Sequence, residues 1–279
     1  MKRTHFIIIM LFAGLSMGCI GGAKKQQSVA TATTATATAS ATNRVVAKNY
    51  GFRVVAELSH STKAYTQGLQ YVDGILWEGT GGYGSSRLTK TDMATGRVLA
   101  STDLARTYFG EGITVLGDKV YQITWQQHKA FVYDAKTLRR IKTFDYLGEG
   151  WGLTTDGTKL YMSDGTDKIT VRNADTFEPE RTFSVRLSGR KIPYINELEW
   201  IEGEIWANVY MTNEIVRINP TTGDIVGIIN LAGLQSPSDV RYDTDVLNGI
   251  AYDAASKCIW VTGKNWNKMY QIELTEDGD

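Results

Sequence analysis

The sequence is poor in the residues on which disulfide and metal chemistry depend. It has 2 cysteines and 3 histidines in 279 residues. Cys19 and His5 fall in an N-terminal leader, and if Cys19 carries a lipid then Cys258 has no intrachain disulfide partner. His60 and His128 have no ligand cluster at metal-binding spacing. We therefore predict no metal site and no cofactor.

Excess charge, proline and helical patterning are also lacking. Lys+Arg and Asp+Glu are 30 each, so nothing predicts a nucleic-acid partner. Only 4 prolines occur against 28 glycines, and no window has the apolar stripe of an amphipathic helix. No G-x-S-x-G motif precedes a helix, so a hydrolase of that type is disfavoured. The glycine-rich stretch Gly79–Gly84 opens no helix, so a phosphate cradle is disfavoured. These features favour an all-β chain.

The N-terminus has the pattern of an export signal. Met1-Lys2-Arg3 is charged, and the apolar run from Phe6 to Met17 is too short to span a bilayer. It ends in Leu15-Ser16-Met17-Gly18-Cys19, which resembles a bacterial lipobox with its leucine one place early. We predict a signal at residues 1–19 and a lipid anchor on Cys19, with plain secretion as the alternative.

Residues 20–47 are predicted to be a disordered tether, because their Thr-Ala-rich run cannot bury apolar surface. The folded domain would then be residues 48–279, a monomer held near the membrane only through the N-terminal lipid. The predicted location is the periplasm.

A repeat organises the folded part. Five segments place Gln67, Glu111, Trp151, Asn196 and Asn248 before a Gly-Leu or Gly-Ile pair or its equivalent, at steps of 44, 40, 45 and 52 residues. A period near this length is typical of four-stranded antiparallel blades. We predict a five-bladed β-propeller whose channel mouth, the end at which the first strand of each blade begins, collects these five side chains.

Three further patterns support the repeat. An aromatic residue recurs in the second strand, at Trp77, Tyr121, Tyr161, Trp206 and Trp260, and is predicted to pack between blades. Asn or Asp opens a turn predicted between the third and fourth strands at Asp92, Asp134, Asn173 and Asn219. The strand from Phe52 to Leu58 is predicted to close the ring by pairing with the last blade.

Hairpin geometry predicts a second layer at the mouth. The start of the first strand and the end of the second lie at the same end of an antiparallel hairpin. Four residues beyond the packing aromatics stand Trp125, Tyr210 and Lys264, with glycine at the other two positions. Glu111 would therefore share the mouth with a cation, aromatic rings and carboxamides, which suits a small polar ligand.

The repeat motifs resemble those of the plant and bacterial glutaminyl-peptide cyclotransferases, over roughly residues 50–274. The motifs are Tyr65-Thr66-Gln67-Gly68-Leu69, Phe109-Gly110-Glu111-Gly112-Ile113-Thr114, Glu149-Gly150-Trp151-Gly152-Leu153, Ile195-Asn196-Glu197-Leu198-Glu199 and Val246-Leu247-Asn248-Gly249-Ile250-Ala251. The resemblance implies a five-bladed propeller that needs no zinc and converts an N-terminal glutamine of a peptide or protein to pyroglutamate with release of ammonia.

The resemblance also implies residue roles. Glu111 would be the catalytic carboxylate, and the pocket would include Gln67, Trp125, Trp151, Asn196 and Lys264. The family usually has Phe where this chain has Tyr65 and Trp where it has Tyr210, so the pocket shape differs in detail. Phe109 and Asn248 complete the predicted set of substrate-binding and oxyanion residues, with Gln67, Asn196 and Lys264 as the possible oxyanion donors. Should Glu111 not be the catalytic acid, Glu197 is the next to consider.

Two other function classes stay open at this point. A non-catalytic propeller could bind a peptide or sugar at its mouth, and a tethered propeller could act as a scaffold for a protein partner. Ammonia release from a glutaminyl peptide discriminates between these classes.

Overall fold

The computed structural model describes residues 45–276. Within that range, every regular secondary-structure element is a β-strand. Most strands form four-stranded antiparallel sheets. The strands are β1 Lys48–Ser59, β2 Thr66–Val72, β3 Ile75–Thr80, β4 Arg87–Asp92, β5 Arg97–Asp103, β6 Gly110–Leu116, β7 Lys119–Thr124, β8 Lys129–Asp134, β9 Arg140–Asp145, β10 Leu153–Thr155, β11 Lys159–Ser163, β12 Lys168–Asn173, β13 Pro179–Ser184, β14 Arg186–Leu187, β15 Arg190–Lys191, β16 Ile195–Ile201, β17 Glu204–Val209, β18 Glu214–Ile218, β19 Ile225–Asn230, β20 Leu247–Asp253, β21 Cys258–Gly263 and β22 Lys268–Glu276.

The sheets follow chain order. Three four-stranded sheets are β2–β5, β6–β9 and β10–β13, and β14 and β15 form a short ribbon. An eight-stranded sheet has the order β16-β17-β18-β19-β1-β22-β21-β20. This all-β, propeller-like arrangement agrees with the predicted fold class.

The predicted turns form between the third and fourth strands. Asp92 Oδ1 accepts a hydrogen bond from Thr95 N–H at 2.8 Å, and Asp134 Oδ1 accepts one from Thr137 N–H at 2.7 Å. The carboxamide oxygens of Asn173 and Asn219 do the same for the residues three positions on. A short polar side chain that satisfies its own turn explains why the turns begin with Asn or Asp.

The core lies between neighbouring sheets. Trp77 of β3 packs with Leu88 of its own sheet and with Ile113, Val120 and Phe131 of the next. The other four second-strand aromatics fall in four separate buried clusters. Their predicted packing role is confirmed, and burial of such side chains is the main term that stabilises the fold.

The predicted closing strand is also confirmed. Over Phe52–Ser59, β1 pairs antiparallel with β22, placing Phe52 opposite Leu274 and Leu58 opposite Met269. The strand is longer than predicted, and its first three residues, Lys48–Tyr50, pair in parallel with β19. One strand therefore covers the edges of two groups of strands that would otherwise be open.

Several predictions concern the N-terminal region. The signal at residues 1–19, the lipid site Cys19 and residues 20–44 of the tether lie outside the described residues. Residues 45–276 contain no helix long and apolar enough to cross a bilayer.

Candidate active site

β-bulges set the positions of the mouth residues. The pairing register shifts between Thr66 and Gly68 in β2, which leaves Gln67 in the bulge, and between Gly110 and Ile113 in β6, which leaves Glu111 and Gly112. Matching shifts in β16 and β20 contain Asn196 and Asn248. A bulge changes the direction of a side chain, and here it does so at the first residues of four strands.

Glycine beside these residues lets neighbouring sheets approach. Gly112 N–H donates to Trp151 O at 2.8 Å, across two sheets. A Cβ on Gly112 would lie 2.5 Å from Leu153 N, closer than any real contact. The close passage of the strands therefore requires a glycine directly after Glu111.

Glu111 is buried at 5% exposure and has two charged neighbours. Gln67 Nε2 donates to its Oε1 at 3.0 Å, and Oε2 accepts no hydrogen bond from the described residues. Burial raises the pKa of Glu111 well above its usual range, Lys264 lowers it, and Glu149 raises it further. A buried carboxyl with a raised pKa and a free oxygen is suited both to take up and to give a proton.

A chain of hydrogen bonds between carboxamides orients the Gln67 side chain that binds Glu111. Asn248 Nδ2 donates to Gln67 Oε1 at 3.3 Å and to Thr66 O at 2.9 Å. With its oxygen so engaged, Gln67 presents its Nε2 to Glu111. Asn196 is buried, and its Oδ1 has no partner within the described residues. An unpartnered buried oxygen can accept a hydrogen bond from a ligand.

Lys264 lies between two aromatic rings. Its Nζ is 4.8 Å from the ring centroid of Tyr65 and 5.0 Å from that of Tyr210. Burial lowers the pKa of Lys264, while Glu111 and Asp245 raise it. Lys264 Nζ makes no hydrogen bond to the described residues, so its donors are available to a bound molecule.

The remaining aromatic residues form a wall. The Phe109 ring contacts Tyr65 at 6.3 Å and Trp125 at 5.7 Å, and Trp151 contacts Tyr210 at 5.5 Å. Gly165, the second-layer glycine of the third sheet, leaves room for Trp151, because a Cβ there would lie 2.4 Å from the indole. Members of the predicted second layer thus contact members of the first.

Two acidic residues of this site were not predicted. Glu149 Oε2 accepts hydrogen bonds from Trp125 Nε1 at 2.7 Å and Trp151 Nε1 at 3.0 Å. Asp245 Oδ2 accepts one from the Tyr65 hydroxyl at 2.9 Å. Glu149 stands in the quoted Glu149-Gly150-Trp151 motif, whereas Asp245 lies in a loop with no repeat pattern.

Glu197 has a different position from the one expected. Its Oε1 accepts a hydrogen bond from Leu69 N–H at 3.1 Å and its Oε2 accepts one from Ile250 N–H at 3.0 Å. Both oxygens are therefore used to tie β16 to β2 and β20. Burial raises the pKa of Glu197 to about 8. The acid whose charge acts on Glu111 is Glu149, while Glu197 as the next catalytic acid stays a prediction.

The two remaining histidines have protein partners. His60 Nε2 lies 2.9 Å from Glu78 Oε1, beside a cavity of about 620 Å³ between the first sheet and β1 that contains no mouth residue. His128 Nδ1 lies 2.6 Å from Gly148 O. Within residues 45–276, no group of three or more His, Cys, Asp or Glu side chains is placed to hold a metal ion.

Comparison with known proteins places this chain in a family. The family model described as glutamine cyclotransferase matches residues 27–274. A glutaminyl-peptide cyclotransferase of Arabidopsis thaliana is 42% identical over 227 residues, covering 80% of this chain and 71% of that protein. The crystal structure of Myxococcus xanthus glutaminyl cyclase is 31% identical, with a TM-score of 0.74, covering 82% of this chain and 99% of that one. The chain belongs to the glutamine cyclotransferase family.

Proposed function

We propose that this protein is a glutaminyl-peptide cyclotransferase, an acyltransferase that converts the N-terminal glutamine of peptides or proteins to pyroglutamate and releases ammonia. The observation that carries the proposal is the environment of Glu111: a buried carboxyl with a raised pKa, held by Gln67 and surrounded by an aromatic wall and Lys264. Family membership supports the same activity.

The reaction needs one proton carrier. The α-amine of the substrate attacks its own γ-carboxamide carbon, so the new C–N bond closes a five-membered ring and the old C–N bond breaks to release ammonia. The amine loses one proton and the departing nitrogen gains one. Glu111 can carry this proton, as base and then as acid. Because both reacting groups belong to one residue, the aromatic wall contributes by folding the glutamine side chain back toward the α-amine and excluding water.

The tetrahedral intermediate needs hydrogen-bond donors for its oxyanion. Lys264 Nζ has no hydrogen-bond partner among the described residues, and the Gln67 and Asn196 carboxamides lie at the same mouth. Donors already fixed in a buried site stabilise developing charge more strongly than water does. We assign the oxyanion to these three residues, with Asn196 Oδ1 also free to accept a hydrogen bond from the substrate.

A peptide substrate agrees with the surface around the mouth. Large apolar side chains on loops at this end are strongly exposed, including Leu147 at 94%, Tyr242 at 97% and Met211 at 68%. Exposed apolar groups around a polar site favour contact with a partner molecule. Residues that follow the N-terminal glutamine would contact them.

The proposal includes the number of blades and a reaction that needs no metal. The sheet order supports five blades: a division of the eight-stranded sheet at the junction of β19 and β1 would give two four-stranded units beside the three separate sheets. Chemistry by Glu111 and Lys264 needs no metal, so dialysis against a zinc chelator should leave the activity intact. Loss on chelation with recovery on adding zinc would contradict this.

The cellular location is proposed from the leader alone. A lipid on Cys19 and a tether over residues 20–47 would hold a monomeric, periplasmic domain beside the membrane. The change Cys19→Ser should move the protein from the membrane fraction to the soluble fraction. Absence of lipid on the wild-type mature protein, measured by mass spectrometry, would leave secretion as the alternative.

The activity is tested by incubating the purified protein with a glutaminyl peptide. Two quantities are measured: the ammonia released, and the decrease in peptide mass that corresponds to the loss of one ammonia molecule. An asparaginyl peptide of the same sequence is the matched substrate control. Binding of the peptide without ammonia release would support the non-catalytic alternative.

A further inference from the structure

The aromatic and charged side chains of the mouth form a closed circuit of contacts. Its members, in order, are Lys264 to Tyr65 at 4.8 Å, Tyr65 to Phe109 at 6.3 Å, Phe109 to Trp125 at 5.7 Å, Trp125 to Glu149 at 2.7 Å, Glu149 to Trp151 at 3.0 Å, Trp151 to Tyr210 at 5.5 Å and Tyr210 to Lys264 at 5.0 Å. Two charged groups complete this circuit: Lys264 joins the two tyrosines, and Glu149 joins the two indoles.

Glu149 is the only direct link between the two indoles in the described part of the chain. No hydrogen bond or ring contact connects Trp125 with Trp151 themselves. Both indole N–H groups converge on one oxygen, Oε2, while Oε1 accepts a hydrogen bond from Gln126 Nε2 at 2.9 Å. Three donors therefore fix the carboxylate, and the carboxylate fixes the angle between the two rings.

We propose that Glu149 is a positioning residue for the cyclisation, which holds both indoles against the substrate glutamine and balances the charge of Lys264 at Glu111. This inference rests on the proposed function. The first part follows from the shared oxygen, since an indole that loses its acceptor is free to turn. The second follows from the two charged side chains that act on Glu111, the cation Lys264 and the anion Glu149.

The electrostatic part has a definite sign. Burial works toward a higher pKa for Glu149, but hydrogen bonds from Gln126, Trp151 and Trp125 hold its pKa below the ordinary value, so it is an anion at neutral pH. That anion raises the pKa of Glu111, and Lys264 lowers it. The other groups facing this region are His128, which acts on Glu149, and Asp245, which acts on Lys264. The hydroxyls of Tyr65, Tyr146 and Tyr210 also face it, and their raised pKa values keep them neutral.

Two variants separate the two roles. Glu149→Gln keeps an oxygen that can accept both indoles but removes the charge. The pKa of Glu111 should fall, so the acidic limb of the pH profile of kcat/KM should move to lower pH with little change in KM. Glu149→Ala removes the acceptor as well, and kcat/KM should fall by up to about 100-fold, with KM raised, because the wall is misplaced.

The control is Glu214→Gln, an exposed glutamate outside the site, which should leave all of these quantities unchanged. The near-ultraviolet circular dichroism of the indoles gives a readout that does not depend on activity. It should change in Glu149→Ala and not in Glu214→Gln. Were the wild type inactive on glutaminyl peptides, the proposed function would fail, while this spectrum would still test the positioning of the rings.

A merely structural Glu149 gives a different pattern. Glu149→Ala would then lower the melting temperature but leave kcat/KM per folded molecule and the indole spectrum alone. An unshifted acidic limb in Glu149→Gln would overturn the electrostatic part. If Glu149→Ala does not fold, Glu149→Gln still decides the electrostatic part of the proposal. The indole spectrum of Glu149→Gln should match that of the wild type.

Discussion

At the scale of single residues, Glu111 combines burial with a free oxygen. Glu111→Gln preserves size and can keep a hydrogen bond with Gln67, but it cannot take up a proton near neutral pH. Turnover should fall by about 10²–10⁴-fold, the usual contribution of a positioned acid-base group, while KM changes less. Steady-state kinetics on a glutaminyl peptide measure both. A folded Glu111→Gln protein with near wild-type turnover would falsify the assignment.

Trp151→Ala is the comparison for that variant. It removes a wall of the site without touching the proton carrier, so both turnover and apparent affinity should fall. A Glu111→Gln variant that behaved like Trp151→Ala, with KM raised as much as turnover is lowered, would indicate a binding rather than a catalytic role for the carboxyl.

Three buried carboxyls should make the protein less stable in alkali. Burial raises the pKa of Glu111 and Glu199 well above the ordinary value and that of Glu197 to about 8. A group whose pKa is raised by folding adds stability below its unfolded pKa and loses it as pH rises through its folded pKa. The free energy of unfolding should therefore decrease between about pH 5 and pH 9, measured by urea denaturation.

The variant Glu199→Gln tests the source of this slope. Its carboxamide oxygen can still accept the hydrogen bond from Tyr252 N–H that Glu199 Oε1 accepts at 3.2 Å, but it cannot ionise. The decrease with pH should be smaller than in the wild type. An unchanged slope would mean that Glu199 does not contribute to it.

At the scale of elements, the close approach of neighbouring strands depends on glycine. Gly112→Ala should cost about 1–3 kcal/mol and lower the activity, because the added Cβ meets backbone atoms of the next strand and displaces Glu111. Gly227→Ala is the matched control, since its Cβ would meet only side-chain atoms, of Arg217 at 2.9 Å and of Tyr50 at 3.1 Å, and no backbone atom of a neighbouring strand. Gly112→Ala should lower the melting temperature and the activity more than Gly227→Ala does, as measured by thermal melts and steady-state kinetics.

The strand β1 is the second element with a measurable role. It pairs with β22 over most of its length and with β19 at its start. Removal of residues 45–58 exposes both edges and should lower the melting temperature markedly and promote aggregation. A deletion ending at residue 44 is the control, because it leaves β1 whole. Equal melting temperatures for the two truncations would show that β1 does not close the fold.

At the scale of the molecule, the loops at the mouth should select longer peptides. Leu147→Ala and Tyr242→Ala should raise KM for glutaminyl peptides with apolar residues after the glutamine, and leave KM for a glutaminyl dipeptide nearly unchanged. Val98→Ala, which removes an exposed side chain at the other end of its sheet, should change neither. Equal effects on short and long substrates would argue against contact beyond the first residues.

The sequence by itself determined the repeat and much of the site. The positions of Gln67, Glu111 and Trp151 follow from a period that recurs in the chain, and so do the turns and the second-strand aromatics. The edge-closing role of β1 followed from the cost of open strand edges. These features are local or periodic, so each appears as a pattern within one repeat.

Only the tertiary structure decided which side chains meet across repeats. Asp245 reaches Tyr65, and Glu197 ties together Leu69 and Ile250, over separations that no periodicity encodes. Glu149 receives both indoles because the second and third sheets converge at the mouth. A carboxylate's partners depend on distances of a few ångströms between distant strands, and those distances exist only once the sheets have packed.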